Sequence, residues 1–421
     1  MTPPRTAARL KAVNPELWTS DPRLAALSLL PVPLGALWLA LAPRLPWAKR
    51  PRGAAALAWL TWLATRAAFA ALVWGVLGHR SVDATAFFLP QAGQAARGLL
   101  PYRDFASAYA PLFPALLATA LRLLGASGPL TLFLLADLAA WRLLAARERD
   151  REALALAGAA WAYLAFPPVW YFAVRYAQDE TLAAMCVAGA LLAHERDRPV
   201  RLGLWLALGL LATKPLFALA AVPFLVAPGS GRWRALIAMA LPVAAVYGAL
   251  LALGAPVWQP LELEGGSFGI GPTLWRVPVV LAGWDPGALG WAPFAVVALA
   301  GAVWLARRRA PPAGQAAWMF GAFALLSPKF MPMYAVMWAP CLAAWVAGPW
   351  GGEVGRRNRR RVWWVAYGAL LPLAWYLDSG PLQGRFGPAA QGGAAGVLLV
   401  IALMAAGLLA MVARGAREES R

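Results

Sequence analysis

The chain has 421 residues, 61% of them hydrophobic and only 14% charged, with a formal net charge of +19. Soluble domains run at roughly 45–50% apolar and about 25% charged, so most of this chain must have lipid as its solvent. The positive excess could suit a nucleic acid, but the charges stand in short blocks between long apolar runs; that is a membrane pattern, and no nucleic-acid partner is expected.

No cleavable leader is expected, because the first 23 residues carry Arg5, Arg9, Lys11, Asn14 and Glu16 without a continuous apolar stretch. Residues 1–52 read as an N-terminal extension with an added helix or hairpin, since the apolar run 24–42 contains Pro31 and Pro33. The membrane domain occupies 53–413, and 414–421 is a short cytoplasmic tail. Within the domain, apolar runs fall at 53–77, 128–144, 153–172, 178–193, 202–213, 215–227, 234–254, 287–306, 313–326, 333–348, 362–377 and 392–413. A helix rises about 1.5 Å per residue against roughly 30 Å of hydrocarbon, so 53–77 spans easily. The runs 202–213 and 215–227 are short, and read either as one helix kinked at Pro215 or as two elements meeting at Lys214. The run 111–124, bracketed by Pro111 and Gly125, reads as re-entrant or surface-lying. The expected fold is an all-α polytopic membrane protein with about 11–13 transmembrane helices and two long extracytoplasmic loops, 78–127 and 255–286.

Orientation follows from the basic residues. With the loop 43–52 inside, 24 of the 38 Lys and Arg fall in inside segments, among them Arg142, Arg147, Arg196, Arg308 and the run Arg356–Arg361. Nine fall outside: Arg80, Arg97, Arg103, Arg122, Arg175, Lys214, Arg276, Lys329 and Arg385.

Chemistry concentrates on the outer segments. Asp83 follows an apolar span by a few residues, where partial desolvation would make a carboxylate a better base; an Asp ahead of Ala-Thr-Ala-Phe-Phe also reads as a helix N-cap. Asp104, between Arg103 and Phe105, reads as a turn carboxylate paired with an arginine. Only four lysines occur, and Lys214 and Lys329 stand beside prolines in apolar surroundings at outer helix ends. Such ammonium groups suit phosphate oxygens, or else snorkel to the interface. Arg175, Gln178, Asp179 and Glu180 open an apolar run, where the two acids could serve as helix-dipole partners. The Gly-rich stretch 265–276 lacks a following GKS/T and a preceding strand, so it reads as a flexible outer loop rather than a phosphate loop. Arg66 and Asp137, both inside spans, are expected to pair or to line a polar interior. Cys186 and Cys341 lie inside apolar runs and do not suggest a disulfide. With two histidines and no HExxH or CxxC, a His-rich metal centre is not supported and no cofactor is expected.

The segment Asp83–Leu112 resembles the first outer loop of the C-type (GT-C) glycosyltransferases, and most resembles the polyprenyl-phosphate-mannose-dependent glycosyltransferase family 87. The matching residues are Asp83, Gly98, Pro101, Tyr102, Asp104, Phe105, Tyr109, Pro111 and Leu112, with Ala110 in place of the usual first proline. Gln178-Asp179, Lys214-Pro215 with Pro223, and Ser327-Pro328-Lys329-Phe330 resemble further stretches of the family, with Lys329 a departure. The resemblance implies transfer of a mannose-like hexose from a polyprenyl-phosphate donor to a hydroxyl of a glycan or lipid acceptor, at the extracytoplasmic face of the cell membrane. It implies inversion at the anomeric carbon with Asp83 as general base. It also implies substrate contacts from Tyr102, Arg103, Asp104, Tyr109, Arg175, Gln178, Asp179, Lys214, Arg276 and Lys329, with Arg175, Lys214, Arg276 and Lys329 around the phosphate. Two other readings stand beside it. A lipid or glycolipid flippase would explain broken helices and intramembrane charge. A lipid-linked glycan polymerase or ligase shares the helix count and the outer loops.

Overall fold

The computed structural model describes residues 50–78, 81–148, 158–227, 231–265, 271–275, 287–348, 354–378 and 387–418, with isolated positions 45, 229, 278, 282 and 284. The expected hairpin at 24–42 and the residue Arg276 lie outside the described residues. The protein is an all-α polytopic membrane protein; among the described residues five helices are long and apolar enough to cross a membrane, and none forms a strand.

Helix α1 (Arg52–Val76) leads to α2 (Leu89–Ala96), which is entered through a wide π-type segment Asp83–Phe88. Helix α3 (Phe113–Leu124) ends at Gly125, whose φ of 61° is a conformation glycine adopts at little cost. There the chain folds back, so that α4 (Gly128–Glu148) packs against α3. Gly128 sits so close to Ala120 that a Cβ would overlap its carbonyl, which fixes this tight crossing. The short segment 111–124 is thus one arm of a helical hairpin.

The run expected at 153–172 is broken. It forms α5 (Ala159–Leu164) and α6 (Pro167–Arg175), because Pro167 and Pro168 cannot continue a preceding helix and instead start a new one. Next come α7 (Glu180–Glu195), α8 (Pro199–Ala212) and α9 (Phe217–Val226). Of the two readings of 202–227, the structure takes the second: two short helices meet at Lys214. Gly209 leaves room for the Phe217 ring, which folds back on it and sets the angle of the break.

Helices α10 (Arg232–Ala252) and α11 (Gln259–Gly265) precede α12 (Trp291–Arg307) and α13 (Pro312–Leu326). The chain closes with α14 (Ala335–Ala347), α15 (Val354–Asp378) and α16 (Gly387–Glu418). The basic run Arg356–Arg361 is not a loop; it forms the opening turns of α15.

Helices α7 and α14 carry apolar residues all round and lie at the centre, where α7 contacts α4, α8 and α14. Helix α10 is peripheral and exposes Trp233, Ile237 and Leu241 as a lipid-type face. Inside the bundle, Asp137 receives Nε of Arg66 at 3.0 Å, Nε1 of Trp62 at 2.9 Å and the hydroxyl of Tyr163 at 2.9 Å. Arg66 and Asp137 are both fully buried, so each charge is tolerable only because the other is there. This is the pairing the sequence suggested.

The two ends of the central helices differ in character. At the C-terminal end of α7, Arg147 pairs with Glu195 at 2.6 Å and Arg196 donates to Ala146 O. On the same basic side, Arg360 lies over Trp345 at the end of α14, and Arg308 donates to the Ala416 carbonyl of α16. At the other end of α7, about 24 Å away for 16 residues, residues of the segment 78–127 meet the start of α7 and the break at Lys214.

Candidate active site

Three chain breaks build the site: the entry to α2, the turn 175–179 ahead of α7, and the α8–α9 break. At the first, Ser81 caps the helix, since its Oγ accepts the Ala84 N–H at 3.1 Å. Asp83 is therefore not the cap that its local sequence allows. It sits in the first turn, half-buried, and its Oδ2 accepts a hydrogen bond from Nε2 of Gln178, 95 positions away. Gln178 is held in turn: its Nε2 also donates to Tyr176 O at 3.3 Å, and its backbone N–H to Phe172 O. The residue before it, Ala177, adopts φ 49°, a left-handed conformation that costs a non-glycine residue on the order of 1 kcal/mol. That cost aims Gln178 and Asp179 back towards α2.

The third break supplies the cation. Thr213 ends α8 and Pro215 prevents its continuation. The first outer loop is laid along this end: Ala110 N–H donates to Thr213 O and Leu112 N–H to Leu211 O, both at 2.8 Å. These bonds bring the Tyr109 ring against Lys214, whose Nζ lies 5.3 Å from that ring and 5.6 Å from the ring of Tyr334. The same Nζ stands 2.9 Å from Oδ1 of Asp179 and 2.7 Å from Oε1 of Glu180. The acids lie behind the ammonium: their side chains are 1% and 4% exposed against 15% for Lys214. Asp179, in the turn outside the helix, has its carboxyl pushed up to about 7, chiefly by burial and then by the charge of Glu180.

The structure thus gathers Asp83, Tyr109, Gln178, Asp179 and Lys214 of the expected residues. Arg175, at the end of α6, is buried in the same turn with its guanidinium 5.1 Å from the Tyr176 ring. Lys329 stands in the turn that leads to Tyr334, where its backbone N–H donates to Oγ of Ser327 at 3.1 Å. Tyr102 acts one step away. It is buried at φ 70°, and its hydroxyl donates to the Tyr109 carbonyl at 2.5 Å. Asp104 closes its own turn, accepting Leu100 N–H at 2.8 Å and Nε of Arg103 at 2.9 Å. The Arg103 guanidinium holds that carboxyl below the usual range, as the turn reading had it. No described contact joins Arg103 or Asp104 to the group around Lys214. The segment 271–275 packs beside the turn that carries Lys329. Gly271, at φ 90°, packs on the Phe330 carbonyl where a Cβ would overlap, and Leu274 N–H donates to Leu325 O.

Glu180 and Tyr334 complete the group around Lys214. An acid at a helix start reads locally as a dipole partner, and Pro332-Met-Tyr as the edge of an apolar run. Among the described residues no cluster of three or more His, Cys, Asp or Glu is arranged to hold a metal ion.

A polar, aromatic-lined group at one end of an otherwise apolar bundle is where a membrane enzyme would meet a polar headgroup. The family model for glycosyltransferase family 87 matches residues 111–328, just over half the chain. The chain belongs to glycosyltransferase family 87. Neither the curated proteins nor the solved structures compared with it gave a match. Family membership makes this protein a membrane glycosyltransferase, with a sugar donor, an acceptor and the bilayer as its partners. Gln178, Asp179, Glu180 and Lys214 lie inside the matched segment of this family 87 chain, whereas Asp83 lies upstream of it.

Proposed function

We propose that this glycosyltransferase moves a mannose-like hexose from a polyprenyl-phosphate donor to a hydroxyl acceptor at the extracytoplasmic face of the cell membrane, inverting the anomeric centre. Asp83 is the general base. The observation that carries this reading is the Asp83–Gln178 pair: a carboxylate at the mouth of the bundle, relieved of capping by Ser81 and oriented by an amide. A base must be oriented before it can take a proton in the transition state. The acceptor oxygen attacks the anomeric carbon as its proton passes to Asp83, and the sugar–phosphate C–O bond breaks. The lipid phosphate leaves as an anion and so calls for cations rather than a proton donor. Lys214 is the cation at the mouth of the described group; Arg175, Lys329 and Arg276 are assigned to the same phosphate by their place in the chain. Tyr102 supports Tyr109, and Arg103 with Asp104 shapes the loop over the acceptor side. The concentration of basic side chains at the opposite end of α7 supports an outward-facing site.

Asp83→Asn tests the assignment. The cap is Ser81, so stability should be unchanged, while turnover of a polyprenyl-phosphate hexose by the reconstituted protein should fall by on the order of 10²–10⁴. Near-normal turnover removes Asp83 as the base; a larger loss in Asp179→Asn moves the base there.

A further inference from the structure

Lys214 is the most exposed member of a three-body group whose other members are two nearly inaccessible carboxylates. Two anions on one ammonium leave a surplus negative charge when all three are ionised. That surplus stands directly behind the cation that would meet a phosphate. A single bound proton removes it. The groups facing this centre are Asp83 from the entry to α2, Tyr109 from the first outer loop, Asp179 and Glu180 from the start of α7, and Tyr334 from the turn before α14. Among the described residues Lys214 is the cation in contact with both carboxylates.

We propose that Glu180 is a positioning residue for donor binding: with Asp179 it holds the Lys214 ammonium between the rings of Tyr109 and Tyr334, and its charge, added to that of Asp179, decides whether that ammonium meets the donor phosphate with or without a surplus negative charge behind it. This inference rests on the donor reading above. Glu180 touches the ammonium at 2.7 Å, the shorter of its two carboxylate contacts, and has no contact with Asp83 through a hydrogen bond. Its second oxygen, Oε2, is buried without a hydrogen-bond partner among the described residues, so the ammonium is the one polar contact described for this carboxylate. The proton concerned passes between Asp179 and water. No bond of the transfer reaction changes with it, so the effect belongs to donor affinity rather than to the chemical step.

The test uses the full-length protein in lipid nanodiscs with a short-chain polyprenyl-phosphate hexose, measuring donor KM and kcat between about pH 6 and about pH 8.5. For the wild type, donor KM should rise about tenfold across that window as Asp179 loses its proton, because a unit charge a few ångströms behind the ammonium is worth about that factor in a partly screened site. Glu180→Gln keeps a carbonyl for the ammonium and removes the surplus charge; its donor KM should match wild type at the acid end and stay flat. Glu180→Ala should raise donor KM at every pH, because the ammonium loses a holder. A Glu180→Gln profile that rises as the wild type does, or a Glu180→Ala KM equal to wild type, overturns the inference while leaving the donor assignment intact. Should Glu180→Gln not accumulate as folded protein, Asp179→Asn carries the same test, and an unflattened rise there overturns it equally. A wild type that binds no lipid-phosphate sugar overturns the donor reading and this inference with it.

Discussion

Removing the amide that orients Asp83, while leaving Asp83 itself, separates the geometry of the proposed base from its presence. Gln178→Leu keeps nearly the same volume in a site that is 2% exposed, so the turn 175–179 should remain packed. The variant loses the Nε2 bond to Asp83 and the one to Tyr176 O. A hydrogen bond to an ionised group is worth about 1.5–3 kcal/mol, which converts to roughly ten- to a hundredfold in rate if it acts only through the orientation of the base. The expected result is a kcat lowered by about that factor with donor KM little changed, since Lys214 keeps its own partners. Gln178→Glu is the complementary variant. It sets a second carboxylate against Asp83, and two such groups in contact share a proton rather than both ionise. Turnover should then fall at neutral pH further than in Gln178→Leu and recover towards alkaline pH as that proton leaves. Initial rates of transfer to a hydroxyl acceptor, measured across pH in nanodiscs, distinguish the two. Full activity in Gln178→Leu, or no alkaline recovery in Gln178→Glu, would refute the argument that Gln178 places the base.

Three further outcomes follow from the described contacts. Asp137→Ala strands Arg66 as a buried charge and should cost about 3–5 kcal/mol, whereas Arg66→Met with Asp137→Leu should recover most of it; thermal unfolding in detergent reads both. A cysteine at exposed Ala106 should react with an impermeant thiol reagent in whole cells and one at exposed Arg198 only after lysis, with the buried Cys186 and Cys341 silent; the reverse pattern inverts the membrane orientation. Because the Asp179 carboxyl is raised to about 7 from an ordinary value of about 3.9, the native state holds a proton that the unfolded chain releases between those values. Stability should therefore fall as pH rises through that window and level off above it, and Asp179→Asn should flatten that part of the profile.

What was legible in the sequence was set by local rules. A lysine followed by proline between two short apolar runs marks a helix break, and the structure breaks there. An arginine and an aspartate inside spans must find each other in a medium without water, and Arg66 and Asp137 do. Tyr109, put among the substrate contacts by the family resemblance, stands beside the Lys214 ammonium. Two readings turned on long-range contacts. Asp83 reads as a cap from its next five residues, yet Ser81 takes that task and frees the carboxylate for Gln178. Glu180 reads as a dipole partner until Lys214, 34 positions later, is folded onto it. The Arg356–Arg361 block reads as a loop because charge interrupts hydropathy, although arginine is a good helix former.

Helix α10 has only 11% of its apolar window buried, and it meets the bundle along α8, where Gly203 lies close against the Ala235 carbonyl. Its far end, however, is not idle. Leu250 packs in one cluster with Tyr102 and Ala255, and Tyr102 holds the Tyr109 carbonyl through its hydroxyl. The Tyr109 ring flanks the Lys214 ammonium. The lipid-facing helix and the Lys214 ammonium are thereby joined by a short run of contacts, from Leu250 to Tyr102 to Tyr109, in which a single aromatic hydroxyl is the polar link.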